Sequence, residues 1–208
     1  MTTLPLHFRD GHLFLEAAGA LWLLDTGAPT SFGSSSALTL AGETIRLDSS
    51  YLGLTAATLS GFVAVECASL LGADVLGRFD FILDSPNGTA TISINELECR
   101  GLPVGLDEFM GIPIVSACIR GVDYRMFLDT GAKISYFRHD SLASFPAAGC
   151  ATDFYPGVGQ FQTETHDVDI ALGGVEFTLR CGVLPELLGT TLMMAQTEGI
   201  IGNQFLGN

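Results

Sequence analysis

The chain has 208 residues, of which 48% are hydrophobic and 15% charged, with a formal net charge of −14 at pH 7. Nucleic acids and anionic membrane surfaces are bound through clustered lysine and arginine, so this excess of acid argues against both as partners. The apolar content is sufficient for a buried core and excludes a disordered chain, so we expect a fully globular protein.

Neither the cysteines nor the histidines are spaced as metal ligands. The five cysteines are Cys67, Cys99, Cys118, Cys150 and Cys181, and the four histidines are His7, His12, His139 and His166. An odd number of cysteines without close pairs also does not fit a secreted disulfide framework. The sequence therefore predicts reduced thiols, as in a cytosolic protein, and no metal site.

The N-terminus, residues 1–7, lacks the basic start and apolar core of a signal peptide. The longest uncharged stretch, residues 49–65, is diluted by serine, threonine and glycine and falls short of a membrane span. We predict buried strands in this stretch, and a cytoplasmic protein without membrane association.

Two similar hairpins are predicted, one in each half of the chain. Residues 12–24 are apolar with a break at Ala18–Gly19, and their second strand leads directly into Asp25. Residues 112–128 repeat this arrangement, with a turn at residues 120–123, and lead into Asp129. The continuous apolar character of the second strand in each hairpin is typical of a strand buried on both faces.

The remaining elements divide the chain into two domains. Residues 78–92 predict a short helical turn and a hairpin with its bend at Pro86–Gly88. Residues 101–111 contain glycine, proline and acidic residues without periodicity, and are the expected linker. We therefore predict domains at residues 1–100 and 112–208.

The tetrapeptide Asp-Thr-Gly-Ala occurs twice, at residues 25–28 and 129–132, each time after leucine. Serine follows at the same offset in both copies, as Ser31 and Ser135, and an aromatic residue comes next. A second pair of similar segments lies downstream, at residues 74–78 and 199–203, each with two aliphatic residues before a glycine. One such tetrapeptide is an ordinary turn sequence, but two copies with matched partners indicate a duplication.

This order of motifs resembles the pepsin and retropepsin clan of aspartic peptidases, and the resemblance covers most of the chain. It implies an all-β, bilobal acid-protease fold, with two pseudo-symmetric β-barrel-like lobes and the active site between them. It also implies that Asp25 and Asp129 are the catalytic residues. The loop residues that would support them are Thr26, Gly27, Ala28, Thr130, Gly131 and Ala132, and the segments that would brace the loops contain Leu76, Gly77, Ile201 and Gly202.

Two carboxylates held a few ångströms apart share one proton, so one acts as an acid and the other as a base. Such a pair can activate a water molecule against a peptide carbonyl and then protonate the leaving nitrogen. The resemblance implies that Thr26 and Thr130 link the two loops through their hydroxyl groups. Since alanine replaces a hydroxyl residue of pepsin-like enzymes at residues 28 and 132, we expect raised pKa values and an optimum at about pH 5 to 6.5.

The glycine-rich bend at residues 155–160 resembles the flap tip that closes over substrate in retropepsins, with Gly157, Val158 and Gly159 as candidate substrate contacts; an ordinary hairpin turn is the alternative. The corresponding hairpin in the first half must be shorter, and Tyr51 and Gly53 mark its candidate tip. Substrate would be an extended polypeptide, and no metal or organic cofactor is implied.

The favoured interpretation is a monomeric aspartic endopeptidase. A first alternative is a peptide-binding or dimerisation module that keeps the fold without cleaving, because fold does not establish function. A second is an enzyme that assembles only as a homodimer, through an exposed sheet edge.

Overall fold

The computed structural model of the protein describes residues 1–99, 101–138, 140–155, 159–184 and 186–207. Strands dominate, which confirms the predicted all-β class. The chain divides into two compact units, Met1–Gly101 and Leu102–Leu206. No helix in the described ranges is long and apolar enough to cross a membrane.

The first unit contains short strands and two helices. In chain order the strands are β1 (Thr2–Arg9), β2 (His12–Ala17), β3 (Ala20–Leu24), β4 (Phe32–Gly33), β5 (Ala37–Leu40), β6 (Glu43–Arg46), β7 (Ser50–Tyr51), β8 (Leu54–Thr55), β9 (Ser69–Leu71), β10 (Asp80–Asp84) and β11 (Thr89–Ser93). The helices are α1 (Ala56–Val63) and α2 (Ala73–Leu76).

The main sheet of the first unit has the strand order β10-β11-β1-β2-β3-β9-β4. The predicted hairpin of residues 12–24 is confirmed as β2 and β3, joined by Ala18 and Gly19 with φ of 52° and 76°. Positive φ at both turn residues matches the twist of the flanking strands. The second predicted hairpin in this unit is also confirmed, since β10 pairs with β11.

The second unit has longer strands. They are β12 (Leu106–Phe109), β13 (Ile112–Ile119), β14 (Val122–Leu128), β15 (Ser135–Phe137), β16 (Ala147–Tyr155), β17 (Gly159–Leu172), β18 (Val175–Gly182) and β19 (Gly199–Ile201). Its helix is α3 (Glu186–Ala195), and two 3-10 turns cover Asp140–Ser144 and Asn203–Leu206. Strand β12 lies inside the predicted linker of residues 101–111 and pairs with β13, so most of that segment belongs to the second unit rather than to a connection.

The sheet of the second unit has the order β12-β13-β14-β19-β15-β18-β17-β16. Because β17 also pairs with β13, at Ala117↔Leu172 and Cys118↔Ala171, a closed ring is formed by β13, β14, β19, β15, β18 and β17. A buried apolar cluster packs together here, including Met126, Phe137 and Leu179. The predicted hairpin of residues 112–128 is confirmed as β13 and β14.

The two units share one three-strand arrangement. In the first unit β9 runs parallel to β3 and antiparallel to β4, and in the second unit β19 runs parallel to β14 and antiparallel to β15. In both, the strand that precedes the Asp-Thr-Gly-Ala loop is the one with the parallel partner. The sequence duplication is therefore also a duplication of topology.

The prediction of buried strands across residues 49–65 is wrong for residues 56–63, which form α1, whereas β7 and β8 in the same stretch are short strands. Helix α1 begins with a capping box in which Thr55 and Thr58 bond reciprocally, backbone N–H to side-chain oxygen, at 3.3 and 2.8 Å. Its buried residues Ala56, Leu59 and Val63 recur at helical spacing. Low charge alone does not separate a helix from a strand, whereas this period does.

Replacing Thr55 with alanine removes the cap of α1 and should lower the free energy of unfolding by about 1 kcal/mol. The control is Thr39→Ala on β5, an exposed threonine that bonds only across a short hairpin, with an expected change of about 0.5 kcal/mol or less. Urea unfolding followed by circular dichroism measures both changes. Equal stability of the two variants would contradict the capping role.

Candidate functional site

The first aspartate loop is tied to the strand behind it. The Asp25 backbone N–H donates to the Leu71 carbonyl at 3.0 Å, and the Ala28 N–H donates to Asp25 Oδ1 at 2.9 Å. The Asp25 side chain is half-buried. The carboxylate is therefore fixed by its own loop, and the loop by β9.

The second aspartate loop has the same construction. The Asp129 N–H donates to the Ile201 carbonyl at 2.9 Å. Its Oδ1 accepts hydrogen bonds from the N–H groups of Gly131 at 2.9 Å and Ala132 at 3.1 Å. Backbone donors of this kind favour the ionised form of a carboxylate, so this loop is suited to hold a negative charge.

The strand that braces the aspartate loop is β9 in the first unit and β19 in the second, and each is followed by a glycine, Gly72 or Gly202. Each glycine N–H donates to the serine after the aspartate loop, Gly72 to Ser31 Oγ at 2.8 Å and Gly202 to Ser135 Oγ at 3.1 Å. A Cβ atom at Gly72 would lie 2.5 Å from the Ala28 carbonyl oxygen, and one at Gly202 would lie 2.4 Å from that of Ile134. Only glycine lets the two backbone segments approach this closely.

The residue after each glycine bonds to the last residue of the aspartate loop. The Ala73 N–H donates to the Ala28 carbonyl at 2.8 Å, and the Asn203 N–H donates to the Ala132 carbonyl at 2.9 Å. Asn203 is fully buried, and its Nδ2 also donates to the Thr130 carbonyl at 3.0 Å. Each aspartate loop is thus bonded to the bracing segment at both of its ends.

This geometry corrects one of the predicted bracing segments. Ile201 and Gly202 lie behind the second loop as expected, but the assignment of Leu76 and Gly77 is wrong, since Leu71 and Gly72 hold the equivalent position. Leu76 is the last residue of α2, and the Gly77 N–H caps that helix by donating to Ala73. Two segments with two aliphatic residues before a glycine lie close together in the sequence, at residues 70–72 and 75–77, and the aliphatic pair lies in a strand only in the first.

Of the predicted supporting residues, Thr130 is buried and Thr26 is half-buried, each directly after its aspartate. Thr26, Gly27 and Ala28 form the turn of the first loop, and Thr130, Gly131 and Ala132 form that of the second. The expected link between the two threonine hydroxyl groups stays a prediction.

The first loop has a carboxylate support that the sequence did not indicate. Asp74 Oδ1 accepts hydrogen bonds from the Ser31 N–H at 2.9 Å and from the Ser31 hydroxyl at 2.6 Å. The corresponding residue in the second unit is Gln204, whose Oε1 instead accepts a hydrogen bond from the backbone N–H of Arg180 at 2.9 Å. Among the described residues, a carboxylate therefore orients this serine in the first unit and none does so in the second.

The predicted flap tip falls largely outside the described residues, which do not include Gly157 and Val158. Gly159 starts β17 with φ of 83°. Strands β16 and β17 pair from Cys150↔Glu164 to Tyr155↔Gly159. We refer to residues 150–155 and 159–164 together as the arm.

The predicted tip in the first unit is a tight turn, but it is not the counterpart of the arm. Leu52 and Gly53, with φ of 47° and 79°, connect Tyr51 on β7 to β8. This hairpin comes after Asp48, which forms a parallel bridge with Phe32 on β4. In the second unit the end of β18 forms the equivalent parallel pairing with β15. In chain order it therefore corresponds to the segment between β18 and α3, and the prediction of an equivalent flap is wrong.

Tyr136 lies between the second aspartate loop and the arm. Its hydroxyl donates to Asp153 Oδ2 at 2.5 Å. Burial, followed by the charges of Asp153 and Asp129, raises the pKa of Tyr136 well above its ordinary value. The phenol consequently stays protonated and acts as a hydrogen-bond donor.

The cysteines do not offer an alternative nucleophile in the core. All five are free thiols. Burial raises the pKa of the Cys67 thiol, and burial with the charge of Asp167 raises the pKa of Cys181 to about 12. Because the thiolate is the reactive form, these two residues are inert near neutral pH.

No protein-family model matches this chain, and no curated protein matches it in sequence. The interpretation of the site therefore depends on its own geometry.

Replacing Gly72 with alanine should lower the free energy of unfolding by about 1 to 3 kcal/mol, because the new Cβ overlaps the Ala28 carbonyl. The matched control is Gly61→Ala, on the exposed face of α1, where a Cβ meets nothing within 4 Å. That change should be stabilising, by roughly 0.5 to 1 kcal/mol. Chemical unfolding measures both, and a Gly72→Ala variant as stable as the unmodified protein would refute the bracing role.

Proposed function

We propose that the protein is an aspartic endopeptidase with a bilobal, pepsin- or retropepsin-like fold. In this proposal Asp25 and Asp129 act as one carboxylate dyad, with one aspartate from each unit. The observation that carries it is the repeated construction of the site: two aspartates that directly follow β3 and β14, each held by a backbone donor and each braced by an aliphatic-aliphatic-glycine segment.

The chemistry follows from two carboxylates that share a proton. The ionised carboxylate takes a proton from a water molecule as that water attacks the peptide carbonyl, and the protonated carboxylate donates to the developing oxyanion. The leaving nitrogen then receives a proton as the carbon–nitrogen bond breaks. The products are a carboxyl group and an amine, and the dyad returns to its singly protonated state.

The substrate we propose is an extended polypeptide. The arm is a pair of antiparallel strands on the same unit as Asp129, and such strands can bind an extended peptide through their backbone. The net charge of −14 would favour cationic peptides over anionic ones. A monomer in the cytoplasm is the simplest assembly and location that fit this proposal.

The second candidate function is a peptide-binding module that does not cleave. One observation favours it: within residues 1–99, no hairpin equivalent to β16 and β17 lies between β4 and β5. An enzyme with a single arm would enclose its substrate less completely, and a carboxylate displaced by about 1 Å loses most of its activity.

The proposal is tested by Asp25→Asn and Asp129→Asn, assayed by mass spectrometry on a diverse peptide mixture. Each change removes an obligatory acid or base, so cleavage should fall by roughly 10²- to 10⁴-fold or more. The matched control is Asp123→Asn, an exposed aspartate in the turn region of β14, which should cleave normally.

Full activity in either loop variant would contradict the dyad. Loss of cleavage with peptide affinity retained supports it. If the unmodified protein binds peptides and cuts none of them, the binding module is the better account. A specific activity that rises with protein concentration would indicate that the enzyme assembles as a dimer.

The pH dependence of cleavage should be bell-shaped with an optimum at about pH 5 to 6.5. Activity falls at low pH because both aspartates become protonated, and at high pH because both become ionised. The alanines at positions 28 and 132 provide no side-chain hydroxyl to stabilise the ionised pair, which keeps the optimum above that of pepsin-like sites. An initial-rate profile measures this, and activity confined below pH 3 would contradict it.

A further inference from the structure

The arm extends beyond the strands that support the rest of its hairpin. Pairing between β17 and β18 runs from Leu172↔Val175 to Thr165↔Gly182, so it ends where the arm begins. At the base, the Thr163 hydroxyl accepts the Val183 N–H at 2.9 Å. An isolated pair of strands is marginally stable in water, so the arm needs further contacts to hold one position.

Tyr136 supplies such contacts on one face of the arm. Its hydroxyl donates to Asp153 on β16, and its ring lies 6.2 Å from that of Phe161 on β17. Asp153 and Phe161 are directly opposite each other in the strand register. Opposite residues of an antiparallel pair point to the same face, so one buried tyrosine contacts both strands of the arm at the same level.

The hydroxyl is specific to the second unit. Tyr136 pairs with Ile200, as Phe32 pairs with Leu70 in the first unit, so Phe32 is its positional equivalent. The first unit thus has phenylalanine at this position and no equivalent of the arm, whereas the second unit has tyrosine and the arm. The tyrosine hydroxyl and the arm that it contacts therefore occur in the same unit.

We propose that Tyr136 is a positioning residue that holds the arm next to the Asp129 loop through its contacts with Asp153 and Phe161. The inference rests on the proposed function, since it assigns to the arm the placement of an extended peptide substrate over that loop. Tyr136 itself takes no part in the chemistry. Tyr136 belongs to β15, the strand that follows the loop, and its hydroxyl fixes the distance between the arm and that strand.

The test is Tyr136→Phe, which keeps the ring and reproduces the residue of the first unit. A hydrogen bond to a charged acceptor is lost, so amides of the arm should exchange with deuterium roughly 10- to 100-fold faster. Amides of β13 and β14 should exchange at unchanged rates. In peptide cleavage, KM should rise more than kcat falls, because the arm holds substrate and transition state alike.

Asp153→Ala is the second variant, and the double variant should exchange no faster than the faster single one, because both changes break the same contact. The matched control is Asp169→Ala, which removes a similar bond from the Thr178 hydroxyl at 2.7 Å, outside the arm. It should leave both arm exchange and cleavage unchanged.

Unchanged arm exchange in Tyr136→Phe would overturn the inference, whether or not the protein cleaves peptides. Faster arm exchange combined with unchanged KM would show that the contact is only structural and would also overturn it. If the unmodified protein cuts no peptide while Tyr136→Phe loosens the arm and weakens peptide binding, then the positioning role stands and the endopeptidase proposal fails.

Discussion

The hydrogen bonds between each aspartate loop and the strand behind it determine the rest of the structure. The N–H of each aspartate donates to the last residue of the bracing strand, and the loop alanine accepts from the residue after the glycine. For this to occur, the bracing strand (β9 or β19) must run parallel to the strand that precedes the aspartate loop (β3 or β14), which requires a long connection between them. The intervening helices and hairpins are that connection. A backbone held at both ends leaves the carboxylate little freedom, which is what an acid or base in hydrolysis requires.

The duplicated construction has diverged in two ways. The first unit has the shorter of the two connections, and its loop serine bonds to the Asp74 carboxylate. The second unit has long strands that close into a ring, and it carries the arm, which Tyr136 contacts at Asp153 and Phe161. Two aspartates in unequal surroundings are suited to unequal roles, because a shared proton settles on the carboxylate whose neighbours favour the neutral form.

Much of the site could be predicted from sequence because its signals are local. The hairpins before Asp25 and Asp129 have apolar strands and turn residues at the expected places, and the repeated tetrapeptide marks both loops. The bracing segment of the first unit is Leu71–Gly72 rather than the predicted Leu76–Gly77, because the sequence alone does not show which aliphatic pair lies in a strand. Helix α1 differs from the predicted strands because low charge is common to buried strands and buried helices, and only the spacing of Ala56, Leu59 and Val63 distinguishes them. The contact between Tyr136 and Asp153 could not be predicted, because a register shift between Ala147 and Cys150 decides which face of β16 each later residue occupies.

The central claim is that Asp25 and Asp129 share one proton, and carboxyl carbon NMR titration tests it most directly. In the unmodified protein the account predicts two separated titration steps that belong to the pair. Each asparagine variant should leave the other aspartate with a single titration step, because that carboxyl group no longer shares its proton. Independent single steps for both aspartates in the unmodified protein, unaffected by substitution of the other, would contradict the account.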